Sequence, residues 1–241
     1  MTATLGLSDL SSLHPMHLVR IPEPFDHEQF LFELKHDGFR ALAFIRGHHC
    51  GLVSRRGHVY KFPQLAEELA HSVRADDAVL DGEIVCLDAQ GRSQFYSLLF
   101  HREWPYFMAF DALQIDGEDL WNRPLLERKR RLKALVPRVE TRFLYLDHVE
   151  RQGIDLFRAV CRADLEGIVA KWKHGPYHTD GVTTSWLKIK NPTYSQAIGR
   201  SDAFEDASRA RRAADESYRD SRRAVNVSRP SGIATNHGRL G

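Results

Sequence analysis

Lys35 stands in the stretch Glu33-Leu34-Lys35-His36-Asp37-Gly38-Phe39-Arg40, close to a strand end and a glycine turn. A protonated amine is no nucleophile, and free lysine keeps its proton up to a pH of about 10.4. Desolvation or crowding by other cations makes the neutral amine accessible. A nucleophilic Lys35 therefore requires further cations elsewhere in the chain, aimed at the same point. Taken alone, KxDGxR reads equally as a surface hairpin with a salt bridge.

Candidate cations exist. Lys188 and Lys190 alternate with apolar residues in Trp186-Leu187-Lys188-Ile189-Lys190, so both face one side of a strand. Two ammonium groups so placed repel each other unless an anion sits between them, which suits a polyphosphate; the alternative is a solvated edge strand. Ser54-Arg55-Arg56-Gly57 adds cations beside a turn. Carboxylates follow or precede glycines in Leu80-Asp81-Gly82-Glu83-Ile84-Val85 and Glu166-Gly167-Ile168-Val169-Ala170-Lys171. Glycine inside a strand marks a bulge or a close approach, although a plain turn would leave Glu83 in solvent. Glu83 and Glu166 at two strand starts could hold a divalent cation through oxygen. Phe110, at the end of an aromatic strand with Tyr106 and Phe107, could stack on a nucleobase or serve the core.

The elements that must position these residues alternate between strand and helix patterns. Strand-like runs cover 30–33, 39–45, 52–54, 79–87, 106–113, 168–172 and 186–189. The His-Asp-Gly turn after 30–33 and the turn-like 47–51 read as hairpin chemistry. Helical spacing covers 62–73, with Pro63 in the tolerated first turn, and 124–136, loaded with Arg128, Lys129, Arg130, Arg131 and Lys133; 153–164 reads as a third helix. Strands adjoin strands too often for a regular βαβ series, which gives an α+β class with mainly antiparallel sheets flanked by helices.

Composition bounds the rest. Lys+Arg 34 against Asp+Glu 32 leaves +2, so bulk charge alone cannot hold nucleic acid to this chain. Residues 199–241 carry nine Arg, no Lys and six acidic residues, a net +3 that leaves −1 for the body. That segment reads as a solvated, disordered tail with a weak phosphate-binding arm as the alternative. Cys50, Cys86 and Cys161 form no CxxC pair, which disfavours a disulfide framework or zinc ribbon. No apolar run approaches a membrane span and no signal-peptide core opens the chain, so it reads as soluble and cytoplasmic, with no membrane partner.

The order KxDGxR, SRRG, DGE, FD, EGIVAK, LKIK resembles the covalent nucleotidyltransferases: ATP-dependent DNA ligases, RNA ligases and mRNA capping enzymes. The flanking stretches over 15–200 are most similar to the adenylation domain of bacterial ligases associated with end joining. That resemblance implies an ATP-grasp-like domain of two sheets, an N-terminal extension over 1–14 and a tail over 201–241 in place of a C-terminal OB-fold. It implies ATP and Mg²⁺ (or Mn²⁺) as cofactors, and nicked or broken double-stranded DNA as partner. Other end-joining proteins or a separate OB-fold domain are further implied partners, with the bacterial cytoplasm and nucleoid as the setting. Carried over residue by residue, the resemblance implies the following roles: Lys35 becomes lysyl-AMP, crowded by Lys188, Lys190 and a metal that favour its neutral amine. Glu33 lies near the adenine amino group, Arg40 and Glu83 contact the ribose, Arg55 lies near sugar and phosphate, and Phe110 stacks on adenine. Glu166, with Glu83, holds the metal; Lys188 and Lys190 contact the α-phosphate. Asp37 orients Lys35 or assists the metal or the nick phosphate. RNA joining, guanylyl transfer and a nucleotide- or nick-binding fragment with little autonomous sealing are the competing readings.

Overall fold

Side chains alternate across a strand with a period of two, and that period decides which residues of this chain meet. The computed structural model describes residues 13–198. The first half runs β1 (Val19–Arg20), β2 (Phe30–Leu34), β3 (Phe39–Arg46), β4 (His49–Ser54), α1 (Pro63–Ser72), β5 (Asp77–Val85), α2 (Phe95–Leu99) and β6 (Tyr106–Ile115). The second runs β7 (Glu118–Asp119), α3 (Leu125–Ala134), β8 (Phe143–Tyr145), β9 (Val149–Glu150), α4 (Gly153–Arg162), β10 (Gly167–Trp172) and β11 (Trp186–Lys190). A short 3-10 turn follows at Ser195–Ala197. The fold is α+β, with two mainly antiparallel sheets and four helices. The expected 201–241 tail lies outside the described residues, as does the expected 1–14 extension apart from 13–14. No helix among the described residues is long and apolar enough to cross a membrane.

The smaller sheet has the order β1-β11-β10-β2-β9, and the larger β4-β3-β5-β6-β7 with β8 parallel to β6. Phe32, Ile168, Ala170 and Ile189 of the smaller sheet pack with Val160 of α4. Ala41, Ala43 and Ile45 of β3 pack outward with Leu65 and Leu69 of α1 and Leu132 of α3. Between the sheets, Leu42, Phe44, Val79, Val85, Met108, Phe110, Val169 and Trp186 form a third cluster. Because outward and inward residues alternate, Glu33, Arg40, Glu83, Phe110, Lys171 and Trp186 come together at the inner faces.

Two expectations need correction. The run at 30–33 and the strand at 39–45 are no hairpin: β2 and β3 belong to different sheets. Lys35 N–H bonds Gly167 O at 2.9 Å, so the chain stays on the smaller sheet until it crosses at Gly38. Gly38 is needed for closeness, since a Cβ there would lie 2.2 Å from Ile84 O. The hairpin at 47–51 does form, joining β3 to β4. Second, Glu83 and Phe110 lie inside β5 and β6, not at a strand start, a solvent-facing turn or a strand end. The β5–β6 register shifts between Asp81 and Gly82, the bulge that an internal glycine announces, and a Cβ on Gly82 would meet Phe107 Cζ at 2.6 Å. The helix read at 124–136 forms as α3, and part of its basic load is buried. Leu125, Arg128, Lys129 and Leu132 form its buried stripe, with Arg128 at 0% and Lys129 at 1% exposure.

Candidate active site

Lys35 occupies the end of β2's inner face, where Glu166 closes on it. Lys35 Nζ donates to Glu166 Oε2 at 2.9 Å, and the other Glu166 oxygen lies 3.2 Å from Lys190 Nζ. The register explains the meeting: Gly167 pairs with Lys190 and Ile168 with Leu34, so Glu166 precedes a strand flanked by both lysines' strands. Burial lowers the pKa of Lys188, and the charges of Lys35, Lys190 and Arg55 lower it further against Glu166. Lys35, Lys188, Lys190 and Arg55 thus form one cationic end, with Glu166 as the carboxylate inside it. The sequence expectation that Lys188 and Lys190 need an anion is met in part by Glu166.

A cleft of about 440 Å³, its open mouth included, runs from Lys35 between the sheets. Glu33, His36, Arg40, Glu83, Phe110, Lys171 and Trp186 line it. Its size and mixed lining suit a small molecule with one polar end. Phe110 packs edge-to-face on Trp186 at 5.9 Å, and the Arg40 guanidinium lies 5.4 Å from the Phe110 ring centre. Arg40 is not a free arm: its Nε and Nη2 bond the fully buried Asp81 at 3.1 and 2.7 Å. Burial opposes the Arg40 charge, and Asp81, Tyr177 and Glu83 together outweigh it, so the pKa of Arg40 is raised. Tyr177 O–H donates to the same Asp81 at 2.6 Å.

Glu33 is more constrained than a residue waiting for a ligand. It is 1% exposed and lies 2.5 Å from Lys129 Nζ and 2.6 Å from Lys171 Nζ. Burial would raise its pKa, but the two ammonium groups outweigh burial and lower it. Glu83 has the opposite fate. Burial pushes its carboxyl up to about 8, with Glu166 and Asp81 adding to the push against Lys35 and Arg40. No cage of three or more His, Cys, Asp or Glu side chains occurs among the described residues. Glu83 and Glu166 are the carboxylates from which a hard cation such as Mg²⁺ would take oxygen ligands at this end of the cleft.

Asp37, two residues after Lys35, sits in a hydrogen-bonded brace. It is 3% exposed and accepts from Tyr194 O–H at 3.1 Å, while its own N–H donates to Ser93 Oγ at 3.2 Å. His36 Nδ1 lies 3.0 Å from the same hydroxyl, and burial followed by the Lys35 charge pushes the His36 imidazole down to about 4. Gln196 clasps Ser93 O and Phe95 N from the other side. The turn carrying Lys35 is therefore fixed by the segments that follow β5 and β11.

With this geometry in place, comparison with known proteins becomes specific. The family described as ATP dependent DNA ligase domain matches residues 15–190. The chain belongs to this DNA ligase family. It is 29% identical over 192 residues to the SPbeta prophage-derived DNA ligase-like protein LigB of Bacillus subtilis, a match covering 76% of this chain and 69% of that protein. It is 32% identical over 170 residues to the multifunctional non-homologous end joining protein LigD of Pseudomonas aeruginosa, covering 67% of this chain and 20% of that protein. Among solved structures, mycobacterial DNA ligase D complexed with ATP and MES superposes with a TM-score of 0.64 at 28% identity, covering 75% of this chain and 60% of that one. The ligase fold and the resemblance to end-joining ligases both stand.

Several residues of this ligase domain's cleft were not singled out from sequence. Lys129, Lys171, Asp81, Tyr177 and Trp186 build its walls or hold them. A signal existed for Arg128 and Lys129: they fill the inner positions of the i, i+3, i+4, i+7 stripe between Leu125 and Leu132. Lys171 alternates with Val169 in β10, which places it on the inner face.

Proposed function

We propose that this chain is the adenylating domain of an ATP-dependent DNA ligase. Lys35 Nζ attacks the α-phosphorus of ATP, an N–P bond forms, and the bond to pyrophosphate breaks. The lysine proton passes to Glu166, whose carboxylate is 2.9 Å away. Lys188 and Lys190 face the α-phosphate and stabilise the charge that develops there. Arg55 adds to the same field. Phe110 supports the adenine, Glu33 borders its edge, and Arg40 and Glu83 border the ribose. Arg40 reaches the sugar with the nitrogen that Asp81 leaves over. Glu166 and Glu83 would hold Mg²⁺ (or Mn²⁺), which when bound supplies Lewis-acid polarisation of the phosphate and a counter-charge for Glu83. AMP then passes to the 5′-phosphate of a DNA nick, and the nick 3′-OH displaces it to seal the strand.

The observation that carries this reading is the single carboxylate of Glu166 joining Lys35 to Lys190 at the end of a base-sized cleft. The motif order and the family membership support it. The chain spans only 20% of LigD, so break repair with partner proteins is proposed as the wider setting, in the bacterial cytoplasm at the nucleoid. The test is a nicked duplex with a labelled 5′-phosphate, ATP and Mg²⁺, resolved on a denaturing gel. Adenylated and sealed strands are both expected. Joining of RNA ends alone, or use of GTP alone, would overturn the reading.

A further inference from the structure

Lys129 does not line the cleft, yet its ammonium group ends against the residue that does. It rises from α3, on the larger sheet, and is 1% exposed. Its Nζ lies 2.5 Å from Glu33 Oε1 and donates to Leu146 O at 2.9 Å. Glu33 Oε2 lies 2.6 Å from Lys171 Nζ. Two buried lysines from opposite sides therefore share one carboxylate. Lys129 has two acceptors, Glu33 and Leu146 O, whereas Lys171, with three N–H donors, is paired with Glu33 alone. Lys171 sits instead over two rings, 4.2 Å from the centre of Phe110 and 4.0 Å from that of Trp186.

We propose that Lys129 is a positioning residue for the base end of the nucleotide site: by occupying one oxygen of Glu33, it keeps the hydrogens of Lys171 available to an acceptor atom on the bound base. This rests on the nucleotide reading above. Buried N–H donors left over after that one pairing are costly, and a ligand that supplies an acceptor recovers the cost. A base edge presenting a ring nitrogen does so. If Lys129 were neutral, Glu33 would turn both oxygens to Lys171 and draw its ammonium out of the cleft.

The charge environment agrees. Burial pushes Lys171 down to about 8, Lys129 pushes the same way, and Glu33 and Asp111 oppose. These groups face Lys171 from β2, α3 and β6, and the Arg40 guanidinium from β3 shares the Phe110 and Trp186 rings with it. Asp111 is itself taken by Arg128.

The test compares wild type with Lys129→Met and, should that variant not fold, Lys129→Gln. Calorimetry measures the affinity for ATP and for inorganic tripolyphosphate, and NMR of labelled lysines follows the Lys171 titration. The expected result is an ATP affinity about tenfold weaker, the loss of one hydrogen bond from a charged donor. Tripolyphosphate affinity stays unchanged and the Lys171 midpoint moves to higher pH. Equal loss for both ligands would make Lys129 merely structural and overturn the proposal. So would a folded variant with wild-type ATP affinity and an unmoved midpoint. A wild-type protein that binds tripolyphosphate but not ATP would instead sink the nucleotide reading itself.

Discussion

Replacing Arg128 with methionine separates two views of the α3 helix. Were Arg128 a DNA contact, the variant would fold normally and bind nicked DNA less tightly, with a shallower salt dependence. The structure predicts a folding defect instead. Arg128 is fully buried and donates twice to Asp111, at 2.7 and 2.8 Å. Its remaining nitrogen donates to Arg123 O at 2.6 Å and Gly175 O at 2.9 Å. Methionine fills much of the volume but leaves the Asp111 carboxylate buried without its cation. Breaking one side of such a pair costs about 3–5 kcal/mol. At roughly 2–4 °C per kcal/mol for a domain of this size, the melting point should fall by about 6–20 °C. Urea unfolding at pH 7 measures the loss, with the DNA salt slope recorded in parallel. Adding Asp111→Asn should recover much of the loss, because it removes the stranded charge. A variant within about 1 kcal/mol of wild type, a difference typical of surface substitutions, would refute the reasoning.

Glu166→Gln should slow covalent adenylation by about 10²–10⁴-fold, as expected for loss of a proton acceptor, and single-turnover rates across a Mg²⁺ titration would expose an unchanged enzyme. Tyr194→Phe removes one donor from the buried Asp37 carboxylate, at a cost of about 1–3 kcal/mol. It should lower the adenylation rate with the KM for ATP unchanged, and an unaltered rate would make the brace irrelevant to Lys35. His36 is held neutral down to about pH 4, whereas an unfolded histidine takes its proton near 6.5. The unfolded state then binds more protons in that window, so stability should fall as pH drops from 6.5 to 4. In His36→Asn, unfolding free energies against pH should lose this slope.

The inner faces were legible in the sequence because period-two alternation and glycine placement are local. Lys188 and Lys190 on one side of a strand, and the bulge at Gly82, follow from spacing alone. The crossing after Lys35 was not legible. A His-Asp-Gly turn looks the same whether the next strand returns to its own sheet or leaves for another, and the close contact between Gly38 and Ile84 O is tertiary. The burial of Arg128 and Lys129 was not legible either: lysine and arginine are rarely fully buried, and the carboxylates that pair with them, Asp111 and Glu33, lie on other elements. The partner of Asp37, Tyr194, lies far along the chain, beyond any local pattern. The two-residue strands and the five-residue α2 are too short for a period to register.

The account stands on Lys35 as the atom that receives AMP. The direct measurement is incubation with α-labelled ATP and Mg²⁺, followed by denaturation and gel separation. Wild type should carry label stable to denaturation and released by acid. Lys35→Ala should carry none, and neither should Lys35→Arg, whose guanidinium stays protonated and cannot attack. Persistent acid-labile label on folded Lys35→Ala protein would contradict the account and move the search to Lys188 or Lys190.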